Sequence, residues 1–285
     1  MSAEPTILVT GATGTVGRLV VAGLLDRGAR VRAFVRSPQK ARLPPAVDLV
    51  EGDMSRPDTI AKAAAGADAA FLLWPGYSAG GAAQVIDALA NHVPHVVYLS
   101  AARLQRGESG PMPGVWAEVE AILQNAPVTS TFVRGGGFAT NTLEWAEQIR
   151  NGAVVDMPYP DAARSLVHEH DLADMVVQAL LDSTHAGRAY VATGPEVLTQ
   201  QDQVRIIGEV LGRTLRVQRQ SPEQARAELT ESAGEFFAEQ ALAYWASLVR
   251  EPERVSSDVQ DITGHPARSY AQWVHDHADN FAAPS

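Results

Sequence analysis

The run Thr6-Ile7-Leu8-Val9-Thr10-Gly11-Ala12-Thr13-Gly14-Thr15-Val16-Gly17-Arg18 constrains the chain more than any other stretch. Its first residues are apolar or β-branched and read as a buried strand. Gly11, Gly14 and Gly17 then turn the chain into Leu19, Val20, Leu24 and Leu25, whose period predicts a helix. A strand entering a helix through such a loop aims backbone N–H groups and the positive end of the helix dipole at one point, where a pyrophosphate can sit. The glycines permit the tight turn and let phosphates approach with no Cβ in the way. Gly11, Thr13, Gly14, Thr15 and Val16 are the nucleotide-binding candidates of this loop.

Further apolar runs recur at 31–35, 47–50, 69–73, 95–99, 129–133 and 189–192, with helical stretches between them. That alternation predicts an α/β fold: a Rossmann-like, doubly wound parallel sheet covered on both faces. The fourth run ends at Leu73 before Trp74-Pro75-Gly76, and a strand end beside the glycine loop is where ligands sit in open sheets, so Leu73 joins the candidates. From about Gly152 the rhythm changes, which divides the chain into a nucleotide-binding part, 1–151, and a smaller, mainly helical substrate lobe, 152–285, partly interleaved with the sheet. Within the lobe, Met157-Pro158-Tyr159-Pro160 reads as a loop. Asp171 reads as the cap of a helix over 172–181, Thr199 as the cap of the next, and Gly212 as its stop. Residues 222–250 carry Phe236, Phe237, Tyr244, Trp245 and Leu248 at helical spacing, either as the core of the lobe or as a lid over an apolar substrate.

Composition removes several classes of function. With no cysteine there are no disulfides, thiolate metal sites or cysteine nucleophiles. A formal charge of −10 disfavours nucleic acid. The absence of a long apolar run or a signal segment predicts a cytoplasmic protein without a membrane span. In so acidic a chain, the stretch from Arg27 to Arg42 stands out: it holds Arg27, Arg30, Arg32, Arg36, Lys40 and Arg42 and no acid. A preference for NADH calls for an acid about 20 residues past the glycines, to meet the ribose hydroxyls. Here Arg36 stands at that place, suited to a 2′-phosphate, with Ser37 and Lys40 as further donors; NADPH is therefore the expected cofactor. Asp53 and Met54 in Gly52-Asp53-Met54 suit an adenine amino group and ring face, and equally a bare βα turn.

With these residues in view, the chain resembles the NmrA-like NAD(P)H-binding family of atypical short-chain dehydrogenase/reductases. The resemblance rests on the glycine loop, Val35-Arg36 with Lys40, Gly52-Asp53-Met54 and Val97-Tyr98-Leu99-Ser100. It continues through Thr131-Phe132-Val133-Arg134-Gly135-Gly136-Gly137-Phe138 with Asn141, Ala192-Thr193-Gly194-Pro195, and Asp261-Ile262-Thr263-Gly264-His265-Pro266. It implies an NADPH-dependent reductase acting on a small aromatic molecule, similar to ketoreductases of aromatic polyketides in antibiotic biosynthesis or to quinone reductases. The other implied possibility is a sensor of NADP(H) that works through a protein partner. The motif match places Ser100, Asn141 and Phe138 beside the nicotinamide, Ser100 and Asn141 as catalytic hydrogen-bonding groups, and no metal.

The departures bear on the chemistry. The superfamily's reactive pair, a tyrosine and a lysine four residues later, is missing: Met112 and Trp116 fall near those places, and Lys40 and Lys62 are the only lysines. Gly135 replaces the family's common proline. The proton that completes a reduction is thus expected from the substrate itself, for instance from a phenol bonded to the ketone. His168 within His168-Glu169-His170-Asp171 reads as part of a structural turn and secondarily as a proton relay, a candidacy shared with Tyr77 and Tyr159. Arg134 reads as a strand-end anchor.

Overall fold

A computed structural model describes residues 4–76, 78–102 and 114–282; Tyr77 and Met112 lie outside the described residues. The strands β1 (Thr6–Thr10), β2 (Arg30–Val35), β3 (Asp48–Glu51), β4 (Ala69–Leu72), β5 (His95–Ala101), β6 (Thr129–Gly135) and β9 (Ala189–Ala192) form one sheet in the order β3-β2-β1-β4-β5-β6-β9. Every pairing in it is parallel. Parallel strands buried on both faces need continuous apolar runs, and those runs are what the sequence supplies. The order reverses between β1 and β4, so the loops leaving those strands open a crevice at the carboxyl edge.

Alternate residues feed the two faces. On one, Val9, Val97, Leu99 and Val133 pack under α1 (Thr15–Asp26) and α6 (Glu169–Leu181). On the other, Leu8, Leu72, Tyr98 and Phe132 pack under α2 (Pro57–Ala64), α3 (Ala82–Ala90) and α4 (Gly114–Asn125). The helices α1 and α6 approach closely because Gly23 has no Cβ; one placed there would lie 3.1 Å from Val177. Thus the second half of the chain returns to the first: α6 covers the sheet and β9 extends it.

A third core lies beyond β6. It joins Trp145, α5 (Ala146–Asn151), β7 (Val154–Met157), α7 (Gln200–Val210), α11 (Tyr270–Asp276) and α12 (Ala278–Phe281). Two small sheets brace it. The strand β7 pairs in parallel with β11 (Arg216–Arg219), and β8 (Ala163–Arg164) pairs antiparallel with β10 (Leu198–Thr199). The segment 154–157 is therefore a strand, and the expected loop begins only after Met157.

Two caps separate cleanly. Thr199 and Asp202 form a capping box at α7, and Gly212 follows that helix at φ 64°. Asp171, by contrast, is not a cap. The helix α6 begins at Glu169, and His168 caps it by accepting the His170 N–H at 3.2 Å. Asp171 sits inside the first turn, where its carboxylate holds the Arg268 side chain and backbone N–H. Residues 222–250 break at Gly234 (φ 89°) into α8 (Pro222–Ala233) and α9 (Glu235–Arg250). Leu242 and Leu248 are buried, whereas Phe236 is 72% exposed and Phe237 41%. The front of α9 is thus no part of the core, against the simpler of the two sequence readings.

Candidate functional site: a glycine cradle and a polar groove at the carboxyl edge

The glycine loop closes on itself. Gly11 adopts φ 63°, and the Gly14 N–H donates to its carbonyl at 2.9 Å. A Cβ on Gly17 would stand 2.0 Å from the Gly11 oxygen, so only glycine lets α1 start so close to β1. Gly14 precedes α1 in an extended conformation without a side-chain cap, which leaves the first-turn N–H groups of Thr15 and Val16 free to meet an anion. Thr13 turns outward while its carbonyl accepts from Arg18 Nε at 2.8 Å.

One residue the sequence reading passed over fixes this loop to its neighbour. Thr10 Oγ1 donates to the Phe71 carbonyl (3.1 Å) and accepts from the Leu73 N–H (2.8 Å). That buried hydroxyl staples the ends of β1 and β4 together. Leu73 is thereby pressed against Gly11, 3.2 Å from where a Cβ would be. A hydroxyl in a strand of aliphatic residues was the available signal.

Arg36 follows β2 directly, and Lys40 ends the short 3₁₀ turn Pro38–Lys40. Both are exposed, and neither side chain makes a hydrogen bond or ion pair among the described residues, so two cations stand unpaired beyond the strand next to the cradle. Asp53 spends one carboxylate oxygen on the Ser55 N–H and hydroxyl, both at 2.8 Å, and these bonds hold its pKa below the usual value, with Arg36 adding to the effect. Met54 is half-buried against the α2–α3 side of the core. A cradle that a Cβ would fill and an unpaired guanidinium beside it fit a dinucleotide with a phosphorylated ribose.

At the other side of the crevice, Ser100 pairs in register with Arg134 and Ala101 with Gly135. The Ser100 hydroxyl is buried and has no partner among the described residues, an orphaned donor at a strand end. Arg134 is an anchor, as read: its guanidinium grips both carboxylate oxygens of Glu120 on α4, at 3.0 and 2.7 Å. Trp116 packs against the core on that same side. Phe138 folds back over Gly135, where a Cβ would stand 2.4 Å from its ring. Asn141 is exposed in the 3₁₀ segment Ala139–Trp145, which leaves β6.

Next to that segment lies a side-chain cluster absent from the sequence reading. Arg164 of β8 lies against Gly137, with Nε 2.6 Å from where a Cβ would be. It pairs with Glu253 at 3.3 Å and stacks on the Tyr244 ring of α9 at 5.1 Å. Glu253 also accepts from the Tyr244 hydroxyl and the Ser165 N–H. Burial works against its charge, but Arg164 and these donors hold its pKa below the usual carboxylate value. Glu144, in the Ala139–Trp145 segment, is exposed, with Arg164 as its charged neighbour. Desolvation there pushes its pKa up to about 7, against the pull of Arg164. Arg164, Tyr244 and Glu253 thus form one side-chain cluster that joins β8, α9 and the chain after it beside Gly137.

His168 is not part of this cluster. Its side chain is buried, its Nε2 stands 3.4 Å from Asp276, and its neighbours are Glu169 and His277 of the tail. It caps a helix and binds the C-terminal segment. Asp174 and His265, at 3.3 Å, and Arg268, which also reaches Asp171, tie the same segment to α6.

The doubly wound sheet, the glycine cradle at its switch point and the lone cations beyond β2 define a nucleotide-binding protein of the short-chain dehydrogenase/reductase type. The chain belongs to the NmrA-like family, whose model matches residues 3–255. It is 35% identical over 283 residues to a (4-alkanoyl-5-oxo-2,5-dihydrofuran-3-yl)methyl phosphate reductase of Streptomyces griseus, covering 97% of this chain and 99% of the relative. It is 30% identical over 292 residues to an NAD(P)H azoreductase of Xenophilus azovorans, covering 97% and 99%. Among solved structures, the triphenylmethane reductase of Citrobacter superposes with a TM-score of 0.83 at 23% identity, over 96% of this chain and 99% of the other. No helix among the described residues is long and apolar enough to cross a membrane.

Proposed function

We propose that this protein is an NADPH-dependent oxidoreductase that reduces the ketone or quinone of a bulky, largely aromatic small molecule. The observation that carries the cofactor is the pair of unpartnered cations, Arg36 and Lys40, next to a cradle made of backbone N–H groups. The reductase class is supported by the two relatives above, both named as reductases and both matched along nearly their whole length. The sensing alternative draws no support from either.

When bound, NADPH supplies a hydride. The chain's own part is to hold the acceptor over the strand ends, exclude water and steady the oxygen that gains charge. Ser100 offers an unspent hydroxyl there, and Asn141 an exposed amide. The aromatic character of the substrate is supported by α9. Phe237 lies two turns before Tyr244 on the same face of the helix, and the Tyr244 ring meets Arg164 beside Gly137. The Streptomyces relative is named for an acyl-dihydrofuranone phosphate, an anionic compound. Arg164, the guanidinium of this cluster, is already paired with Glu253, which favours a neutral aromatic acceptor over a phosphorylated one.

Purified protein is expected to bind NADPH and to consume it with quinones or hydroxylated polycyclic ketones, followed by the loss of NADPH absorbance. Binding of both redox forms with turnover of no acceptor would leave the sensor in place of the enzyme. Ser100→Ala is expected to lower turnover about tenfold, the value of one orienting hydrogen bond, with NADPH affinity retained. Complete loss of turnover would give Ser100 more than an orienting part.

A further inference from the structure

The helices α8 and α9 stand apart from the rest of the molecule. Their buried side chains, Ala225, Ala238, Leu242 and Leu248, belong to none of the three cores. Each helix packs chiefly on the other, and Arg226 pairs with Glu239 across them at 3.1 Å. Among the named elements of the body, β8 is the one that α9 meets most. The hairpin is rooted at Gln220, whose N–H donates to the Met157 carbonyl at 2.9 Å, and at Glu253, whose N–H donates to the Ala163 carbonyl at 3.2 Å. A unit with so little apolar surface against its surroundings opens at low free-energy cost unless something pins it.

Arg164 is placed to be that pin. On one side its guanidinium lies against Gly137, where a Cβ would stand 2.6 Å from Nε and 2.7 Å from Cζ and Nη2. On the other it stacks on the Tyr244 ring, 5.1 Å from the centroid, and it pairs with Glu253, which accepts from the Tyr244 hydroxyl. One guanidinium thus stands between α9 and the loop that leaves β6. That loop belongs to the carboxyl edge: Gly135 pairs in register with Ala101, next to the unpartnered Ser100 hydroxyl. It is held from several sides. The Gly136 N–H donates to the Ala192 carbonyl at 2.9 Å, and the Gly137 carbonyl accepts from the Val167 N–H at 2.7 Å. Whatever rests on Arg164 is therefore kept at a set distance from the strand ends. The face of α9 that carries Tyr244 is also unfinished. One turn earlier, the Gln240 Oε1 is buried without a partner among the described residues, and Phe237 follows a turn before that. A buried acceptor of this kind is satisfied by a hydroxyl or N–H that arrives with a bound molecule.

We propose that α8–α9 is a lid over the loop leaving β6, and that Arg164 is the positioning residue that latches it and so selects acceptors large enough to reach from the strand ends to α9. This rests on the reductase reading given above and adds to it a hydroxylated, multi-ring acceptor held under Phe237, Gln240 and Tyr244. Opening breaks the Arg164–Tyr244 stack and the Tyr244 hydroxyl's bond. The Arg164–Glu253 pair lies at the root of the hairpin and stays together, so neither half-buried charge is left alone as the lid moves. A stack and one hydrogen bond are a weak latch, as a lid that must release product requires.

The test is hydrogen exchange of the cofactor-free protein across 222–250 in Tyr244→Ala, Tyr244→Phe and Gly137→Ala. In Tyr244→Ala the amides of α9 are expected to exchange about tenfold faster, while those of β4 and β5 keep their wild-type rates. Tyr244→Phe, which keeps the ring and loses the hydroxyl, should fall between. Gly137→Ala reaches the latch from the loop: its Cβ displaces the Arg164 guanidinium, and α9, far away in sequence, should loosen. With NADPH, the KM of a hydroxylated polycyclic quinone is expected to rise about tenfold in Tyr244→Ala with kcat and the NADPH Kd held, and that of a one-ring quinone to rise much less. Three results overturn the proposal: α9 exchange unchanged in Tyr244→Ala, faster exchange throughout the sheet, or equal losses on the two quinones. If the wild-type protein binds NADPH yet reduces no acceptor, the reductase reading fails, and the exchange rates still decide whether Arg164 latches α9.

Discussion

The crevice has two walls built on different principles. On the β1–β4 side, binding groups are backbone N–H donors, set by Gly11, Gly14 and Gly17 within seven residues of chain and stapled by one hydroxyl, Thr10. On the β6 side, the polar groups are side chains from distant segments: Arg164, Tyr244 and Glu253. The first wall carries no formal charge of its own, and its tightest point is Gly17, where a Cβ would stand 2.0 Å from the Gly11 oxygen. The second is a half-buried charge network in which Arg164, Tyr244 and the Ser165 N–H favour the ionised form of Glu253. A phosphate chain is common to a whole superfamily and is met by invariant backbone geometry. A substrate differs from one enzyme to the next and is met by side chains, which can be exchanged without disturbing the sheet.

The contrast can be broken by mutation, and the side-chain wall is expected to suffer most. Arg164→Met leaves Glu253 charged and unpaired in a largely dry setting, and should cost about 3–5 kcal/mol in a urea melt. Arg164→Met with Glu253→Gln should recover most of that; equal losses in the single and double variants would remove the network from the account. On the backbone wall, Gly17→Ala drives a Cβ into the Gly11 carbonyl and should cost about 1–3 kcal/mol of stability, together with NADPH affinity measured by titration. Next, Arg36→Asp should weaken NADPH about 10–100-fold and leave NADH no worse, since a charge-assisted bond to the 2′-phosphate is lost. An unchanged preference would detach Arg36 from the cofactor.

The smallest expected effect is on pH. His168 is buried, and desolvation, helped by His170, lowers its pKa, against Glu169 and Asp276. The unfolded chain therefore takes the proton first. The stability this neutral histidine contributes is whole above its ordinary pKa of about 6.5 and declines as pH falls through that value toward the lower folded one. His95, half-buried at the start of β5, acts in the same direction. Denaturant midpoints across this window should decline less steeply in His168→Asn than in wild type.

Legibility in the sequence followed the same division. The strand–glycine–helix run, the alternating elements and the Thr199 cap with its Gly212 stop were all readable, because each rests on neighbours a few residues apart. His168-Glu169-His170-Asp171 was misread by one turn: Asp is the commoner cap, and only the position of Arg268, 97 residues away, draws Asp171 into the helix. The exposed Phe236 and Phe237 looked like core because helical spacing records that residues share a face, without recording what that face meets.

From its order of residues alone, this protein's parallel sheet and the glycine turn at its first strand could be written down, since local propensity and backbone sterics decide them. Which distant side chains gather beyond β6 was settled only by tertiary structure. Nothing in Ala163-Arg164-Ser165 announces a partner 89 residues away. The pairing arises when the chain brings Tyr244 and Glu253 against β8, and that approach is a property of the assembled fold.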